Sequence, residues 1–289
     1  MVRAVQIAVS ICVGLGVIGC GSRESADSPS VRGGEAGVKI GDIAPAGPGG
    51  QSGAQLLKTI NFSVYIIEVP AENADKLADL WSVLDSTPLR FNNASAFKAN
   101  SFSIGFGQVR LWNKVYELLH GAGGQEIGTV SLLLADDQAG DLAVTGLDYQ
   151  QKVSFVSSDL SPQSTTIGPG ILALRIKATK IAAVQGACAF VAHPVFTVPV
   201  TSPIPQLAAR ARSREFPFTA AAFGLKMSAG DFLVLGPEKY IGDLTTLGGL
   251  FFSNPAGSVF FNPAERKPPE RKPAIRVFLL VCVRMPINY

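Results

Sequence analysis

The sequence predicts an α+β fold in which a small α/β module is followed by a β-rich domain. Three observations predict this organisation. Between residues 56 and 134, segments with the strand period of two alternate with segments that have the helical period of 3.6. After residue 134 the helical period disappears, and short apolar runs are separated by turn residues. Before residue 56, an apolar N-terminal run is followed by a stretch with neither period, which we leave outside the folded part.

The composition allows a substantial core and excludes one class of partner. Of the 289 residues, 47% are hydrophobic and 16% are charged, which favours a strand-rich fold or one that buries surface against partners. The formal net charge of +3 is small for this length, and no stripe of Lys and Arg with interleaved aromatic residues is present. We therefore expect no nucleic-acid partner.

The N-terminus has the layout of an export signal. Arg3 is followed by an apolar run over residues 4–15, and Val17-Ile18-Gly19-Cys20 places a small residue before a cysteine. The run is shorter than the roughly 20 residues that span a bilayer. This pattern resembles the lipobox of bacterial lipoproteins. The resemblance implies that residues 1–19 form a signal peptide, cleaved between Gly19 and Cys20, and that Cys20 carries the acyl chains that anchor the protein in a membrane.

The residues after Cys20 suggest a location and a tether. Gly21, rather than Asp, follows the cysteine, and by resemblance to the sorting rule of diderm bacteria this implies the outer membrane, with the protein facing the periplasm. Residues 20–55 are rich in Ser, Gly, Pro and Ala and lack periodicity. We expect them to form a lipidated flexible tether.

The α/β module, residues 56–134, is predicted to contain three strands and two helices. Strands are predicted at residues 62–69, 101–107 and 129–134 from their β-branched, aromatic or alternating residues. A helix over residues 71–85 is predicted from an apolar stripe at i, i+3, i+4 and i+7, formed by Leu77, Leu80, Trp81 and Leu84. A second helix ends at Gly121 and presents Leu111, Val115, Leu118 and Leu119.

The β-rich domain, residues 135–289, is predicted from eight short runs without intervening helices. These runs are residues 142–145, 152–157, 171–177, 187–191, 196–200, 216–221, 232–235 and 276–283. Repeated prolines exclude long helices here, and His193 is predicted to lie in a turn because Pro194 follows it. The composition of this part is typical of a sheet or a sandwich.

One segment of this domain carries a second resemblance. Its residues are Gly242, Asp243, Leu247, Gly248, Leu250 and Phe251. They follow a strand bounded by Gly230 and Gly236 and precede the apolar strand 275–283. This succession is similar to the signature of secretins, the ring-forming outer-membrane channels of type II and type III secretion and type IV pilus systems, although Thr245 stands where that family has proline. The resemblance implies a secretin-like domain with a lip segment, which we expect to be a glycine-bounded hairpin near Leu247.

Few residues suggest disulfide formation, metal binding or catalysis. Outside the signal peptide and Cys20, the cysteines are Cys188 and Cys282, which can either form a disulfide between two distant strands or pack as two buried thiols. The two histidines, His120 and His193, are far apart in sequence and have no metal-ligand spacing. No nucleophile, phosphate loop or paired carboxylate has the surroundings that catalysis needs. We expect no enzymatic activity, no metal and no cofactor.

These patterns together predict a lipid-anchored structural or assembly component of the cell envelope, related to secretins. Its partners would be the membrane, through the acyl chains at Cys20, and either copies of itself or envelope secretion-system proteins. Assembly would use strands with unpaired backbone groups. The alternative is a monomeric envelope scaffolding or binding lipoprotein, which would have a closed fold without an exposed strand edge.

Overall fold

The computed structural model describes residues 59–199, 213–260 and 270–285, together with residues 206, 209 and 211. The predicted signal peptide and tether lie outside the described residues, as do Gly19 and Cys20.

Antiparallel strands make up most of the described chain. The strands are β1 (Thr59–Pro70), β2 (Arg90–Phe91), β3 (Ser103–Gln108), β4 (Gln125–Ala135), β5 (Ala139–Leu147), β6 (Gln151–Val156), β7 (Pro162–Ile167), β8 (Gly170–Lys180), β9 (Ala187–Thr197), β10 (Phe216–Pro217), β11 (Phe223–Ser228), β12 (Asp231–Gly236), β13 (Ser253–Phe260) and β14 (Glu270–Arg284). The helices described over their full length are α1 (Leu77–Val83), α2 (Ala94–Ala99), α3 (Trp112–Gly121) and α4 (Leu247–Phe252). Short 3₁₀ turns cover Ala71–Lys76, Val109–Leu111 and Thr219–Ala221.

Six strands form sheet I, in which the order is β3-β12-β14-β1-β4 and β13 also pairs with β14. Its centre joins the beginning of the described chain to its end, because β1 pairs along its length with β14 and Tyr65 lies opposite Leu279. Sheet I is buried on both faces at its centre. On β14, Phe278 and Leu280 enter one hydrophobic core, while Val277 and Leu279 enter the other. This explains why residues 277–283 are continuously apolar rather than alternating.

Sheet II covers one face of sheet I. Its order is β2-β11-β9-β8-β5, with β10 also paired to β9. The core between the two sheets is rich in aromatic residues, as in the edge-to-face contact of Phe62 with Phe190, whose ring centroids are 5.4 Å apart. A separate hairpin, β6–β7, forms a two-stranded sheet.

Helices α1 and α3 cover the opposite face of sheet I. Leu77 and Leu80 of α1, with Val115 and Leu119 of α3, pack on the side chains of the sheet. These are residues of the two predicted apolar stripes, so both stripes face the core as expected. The fold is therefore α+β and mostly β, with helices, sheet I and sheet II in three layers, which confirms the predicted fold class.

The division of the folded part at residues 134 and 135 is replaced by a single unit. Residues 54–289 cluster as one compact unit. The physical reason is strand pairing: β1 and β3, from the predicted α/β module, pair with β14 and β12, from the predicted β-rich domain.

The turn predicted at His193 is not present in the structure. The runs 187–191 and 196–200 were expected to be separate strands, but β9 continues through His193 and Pro194 to Thr197. Pro194 has no backbone N–H to donate to a neighbouring strand. On the edge of β9 that faces β10 and β11 no donor is needed there, because β11 pairs with β9 only up to Ala192 and β10 begins its pairing at Val195.

The predicted hairpin near Leu247 is wrong. Residues Leu247–Phe252 form the helix α4, and all six of its residues are buried. Other elements that the sequence analysis did not predict are α2, β2, β7, β11 and β13.

Candidate functional site

The residues of the secretin-like motif come together around α4. Gly242 and Asp243 lie in the loop before the helix, and Leu247, Gly248, Leu250 and Phe251 lie within it. The motif therefore marks one compact segment, although its local structure differs from the predicted hairpin.

Asp243 and Thr246 fix the start of this helix. The Asp243 carboxylate accepts hydrogen bonds from the backbone N–H of Thr245 at 2.8 Å and from its hydroxyl at 2.7 Å. The Thr246 hydroxyl donates to the backbone carbonyl of Asp243 at 2.9 Å and accepts from the N–H of Gly249 at 3.2 Å, which makes Thr246 the N-cap. The hydroxyl of Thr245, and then its N–H, lower the pKa of Asp243.

Two glycines let α4 approach its neighbours closely. A Cβ atom on Gly248 would lie 2.4 Å from the carbonyl oxygen of Asn100, and one on Gly249 would lie 1.9 Å from the carbonyl oxygen of Asp243. Both distances are far inside van der Waals contact with backbone atoms, which cannot move aside as a flexible side chain can. Glycine is therefore required at these two positions by space rather than by an unusual φ angle.

The aromatic residues of α4 belong to the core. Phe251 and Phe252 contact Phe102, with ring centroids 5.2 and 4.7 Å apart, and Phe251 also contacts Phe278 of β14 at 5.7 Å. Since both rings are fully buried, this segment anchors β14 and the loop before β3 to each other rather than exposing a motif to solvent.

A buried charged cluster lies beside α4. Glu68 of β1, only 1% exposed, accepts a hydrogen bond from Arg276 of β14 at 3.0 Å and bonds from Asn254 and Ser258 of β13. Arg276 also donates to the hydroxyl of Thr145 at 3.3 Å. That hydroxyl in turn donates to the carbonyl oxygen of Leu250 in α4 at 2.9 Å. The cluster thus joins β1, β14, β13 and β5 to the helix.

An open groove of about 420 Å³ borders the motif. Its walls come from the loop after α2, the β6–β7 hairpin and the segment before α4. Asn100 holds one wall by accepting from the N–H of Val156 at 2.8 Å and donating to its carbonyl at 2.7 Å. Lys152 is the charged residue among those that line the groove, and the lining also includes the hydroxyl side chains of Ser154 and Ser164. The groove is large enough to hold a small ligand.

The two cysteines lie in the core between the sheets and are not bonded to each other. Cys188 is on β9 and Cys282 is on β14. Burial raises the pKa of each thiol to about 12. The structure therefore corresponds to the second of the two alternatives left open by the sequence, a pair of buried thiols.

The histidines do not meet. His193 lies on β9 opposite Arg175, where burial and then the Arg175 charge lower its pKa, and His120 stacks on Tyr116 at the end of α3. Within the described ranges, no group of three or more His, Cys, Asp or Glu side chains could hold a metal ion.

One feature was not predicted from the sequence: the outer edge of β4, at one end of sheet I. This strand ends the sheet, and among the described residues it has no strand partner beyond β1. Three of its apolar side chains are exposed: Ile127 (51%), Val130 (37%) and Leu133 (65%). A long edge strand that exposes apolar residues and unpaired backbone groups is a ready site for pairing with another chain.

Several other strand edges in the described part of the chain carry features that discourage pairing. β3 is bridged by Asp85, which exchanges two backbone hydrogen bonds with Phe106 at 2.9 and 2.8 Å. β2 has two residues, β7 begins with Pro162, and β5 has a bulge between Ala143 and Thr145. Such features discourage edge pairing; β4 has a bulge at Ile127, near one end, but neither a proline nor a lysine. A strand prediction cannot find this property, because it depends on which strand ends the sheet.

The sequence matches no protein-family model and no curated protein. Solved structures show a remote similarity. The InvG secretin domain from the Salmonella SPI-1 injectisome is 10% identical with a TM-score of 0.24, over 78% of this chain and 62% of that chain. A cryo-EM structure of the Salmonella injectisome secretin InvG is 9% identical with a TM-score of 0.23, over 78% of this chain and 63% of the other. This chain thus spans less than two thirds of these structures. Among the described residues, no helix is long and apolar enough to cross a membrane.

Proposed function

We propose that this chain is a lipid-anchored structural or assembly component of the bacterial cell envelope, related to secretins, that associates with other subunits through the outer edge of β4. The observation that carries the proposal is that edge. It combines the outer edge of an 11-residue strand, whose strand partner among the described residues is β1 alone, with exposed Ile127, Val130 and Leu133 on a sheet whose centre is buried on both faces. Strand addition to such an edge uses backbone hydrogen bonds and needs no change in the fold.

The location rests on the N-terminal pattern. Acylation of Cys20 after cleavage at Gly19 would place the folded unit on a membrane, and Gly21 favours the outer membrane facing the periplasm. Two or more acyl chains give stable anchoring where one gives only reversible binding.

We further propose that the motif around α4 has a structural role and that the protein is not an enzyme. Asp243, Thr246 and the two glycines shape the helix and its loop, and Glu68 and Arg276 satisfy each other. The Asp243 carboxylate, the Thr246 hydroxyl and the Glu68–Arg276 pair therefore already have partners within the fold.

Membrane fractionation of the full chain, with Cys20→Ala as the comparison, tests the anchor. We expect the wild-type chain in the outer-membrane fraction and the variant released from it. Wild-type chain that stays soluble would contradict lipid anchoring.

Size-exclusion chromatography with light scattering, on wild-type chain extracted in mild detergent, tests assembly. We expect a mass that is a multiple of the monomer.

The alternative function is a monomeric envelope scaffolding or binding lipoprotein. The open groove beside α4 favours it, because a groove lined by Asn100, Lys152 and Ser154 can receive a polar ligand without assembly. A monomer at all detergent-extracted concentrations would reject assembly and leave this alternative.

A further inference from the structure

We infer that the β4 edge binds a second copy of this chain, in an antiparallel pair related by a two-fold axis at Val130. The inference rests on the proposed function, since it names the partner for the edge proposed there. It goes beyond that function by fixing the symmetry and the register of the contact.

The symmetry follows from the position of Val130, the middle residue of β4 (Gln125–Ala135). In an antiparallel pair centred on this residue, Val130 lies opposite its own copy and Ile127 lies opposite Leu133 of the other subunit. All three exposed apolar residues of the strand are then matched with one another. In the regular part of such a pair, directly opposite residues bring their Cβ atoms to about 4.5–5.5 Å, so the two Val130 side chains contact each other.

Neighbouring registers lose this match. With the axis at Ser131, Ile127 would face Ala135 and Leu133 would face Thr129. With the axis at Thr129, Ile127 would face Ser131. Of these three registers, only the one centred on Val130 matches the three exposed apolar side chains with one another.

Charge also favours a second copy. Glu126 is the one charged residue of β4, and in the Val130 register it lies opposite Leu134 rather than opposite its own copy. Like charges directly opposite each other across two strands would destabilise the pair, and this register avoids them. The edge therefore carries no charge pattern that calls for a different partner.

The backbone of β4 permits the contact. Its register with β1 skips Ile127, which marks a bulge, but residues 128–135 pair with β1 without interruption. The regular stretch includes Gly128 to Leu132, the five residues centred on the axis. Pairing would join two copies of sheet I into one continuous antiparallel sheet, and two-fold contacts of this kind close on themselves.

Cysteine cross-linking of the full chain, extracted in mild detergent, tests the register. Val130→Cys places one thiol on each side of the axis, and we expect a short bismaleimide to shift this variant to twice the monomer mass. The matched control is Val191→Cys, because Val191 is also exposed (49%) but lies on β9, which is paired on both edges. We expect no such shift for the control or for the wild-type chain.

A mixed experiment sharpens the test. Ile127→Cys and Leu133→Cys should each fail to cross-link alone and should form a cross-linked dimer when the two variants are co-expressed.

Val130→Lys provides a second readout that does not need a cross-linker, since a lysine on an edge strand opposes pairing. It should shift the mass in light scattering to that of the monomer, while Val191→Lys should leave it unchanged.

The outcomes separate the two proposals. If wild-type chain is oligomeric but Val130→Cys does not cross-link, or links only to a protein of another size, the second-copy inference is rejected and the assembly function remains. If wild-type chain is monomeric, both are rejected. Equal cross-linking of Val130→Cys and Val191→Cys also rejects the inference.

Discussion

Single residues determine how closely α4 lies to the loop that precedes it and to the loop after α2. Gly248 and Gly249 each face a backbone carbonyl at a distance that excludes a side chain. Gly248 was predicted to be part of the motif, but the structure predicted for it was a hairpin. The reason for the glycine, contact with Asn100, involves a residue almost 150 positions away and could not be read from local sequence.

Gly249→Ala should destabilise the fold by about 1–3 kcal/mol, because the new methyl group would overlap the carbonyl of Asp243 and force the helix or the loop to shift. Urea unfolding followed by circular dichroism measures the change. The matched control is Gly242→Ala, whose Cβ would meet only the ring of Tyr240 at 3.6 Å and should change stability by less than about 0.5 kcal/mol. Equal effects of the two variants would contradict the close approach at Gly249.

The thiols of Cys188 and Cys282 should be unreactive in the folded protein. Burial raises both pKa values to about 12, and both side chains are fully buried. We expect Ellman's reagent at pH 8 to react with neither thiol until denaturant is added, and then with both. Unfolded protein that shows no free thiol without a reducing agent would instead indicate a disulfide.

The same thiols give a direction for the pH dependence of stability. The pKa of each is higher in the folded chain than the unfolded value of about 8.5. Their contribution to stability is therefore fully present below pH 8.5 and is lost as the pH rises toward 12. Replacing both with alanine should reduce the loss of stability between pH 8 and pH 10.

At the scale of elements, periodicity found the strands and helices that bury one or two faces regularly. It predicted β1, β8, β12 and β14 from their apolar residues, and α1 and α3 from their stripes. It failed where local preference and tertiary context disagree. α4 has six residues and two glycines, which individually disfavour a helix, and packing against Phe102 and Phe278 compensates. Pro194 suggested a turn, yet a gap between two partner strands accommodates it.

The cluster of Glu68 and Arg276 connects four strands with α4, and neither residue was singled out from the sequence. A lone glutamate in an apolar strand is the available signal, because a buried carboxylate needs a partner.

Glu68→Ala should destabilise the fold by about 3–5 kcal/mol, because it leaves the partly buried Arg276 without its carboxylate. Glu72→Ala is the control: it removes an exposed ion pair with Lys272, also on β14, and should change the urea midpoint little. A similar shift in both midpoints would contradict a central role for the buried pair.

For the whole molecule, the order of the strands in the sheets could not be predicted from sequence patterns. Strands at residues 62–69 and 276–283 were both predicted, but nothing in their periods shows that they are neighbours. This pairing is what turns two expected domains into one unit. It also sets the position of β4 at the end of sheet I, and hence the candidate assembly edge.

A fragment of residues 56–134 should therefore not fold by itself. It lacks β14 and β12, so β1 would lose its central neighbour and β3 would lose its sheet partner. We expect no cooperative transition in urea for this fragment and a single cooperative transition for residues 54–289, followed by circular dichroism. A cooperative transition in the fragment would restore the boundary at residue 134.

The placement of β14 between β1 and β12 has a consequence for biosynthesis. While the ribosome is still translating the middle of the chain, β1 has already emerged, but the strand that belongs beside it has not been made. The apolar side chains of β1 stay exposed for most of translation, which makes the nascent chain a substrate for chaperones. Contacts between residues about 200 positions apart also slow folding. The polypeptide should thus remain unfolded until residues 270–284 have left the ribosome.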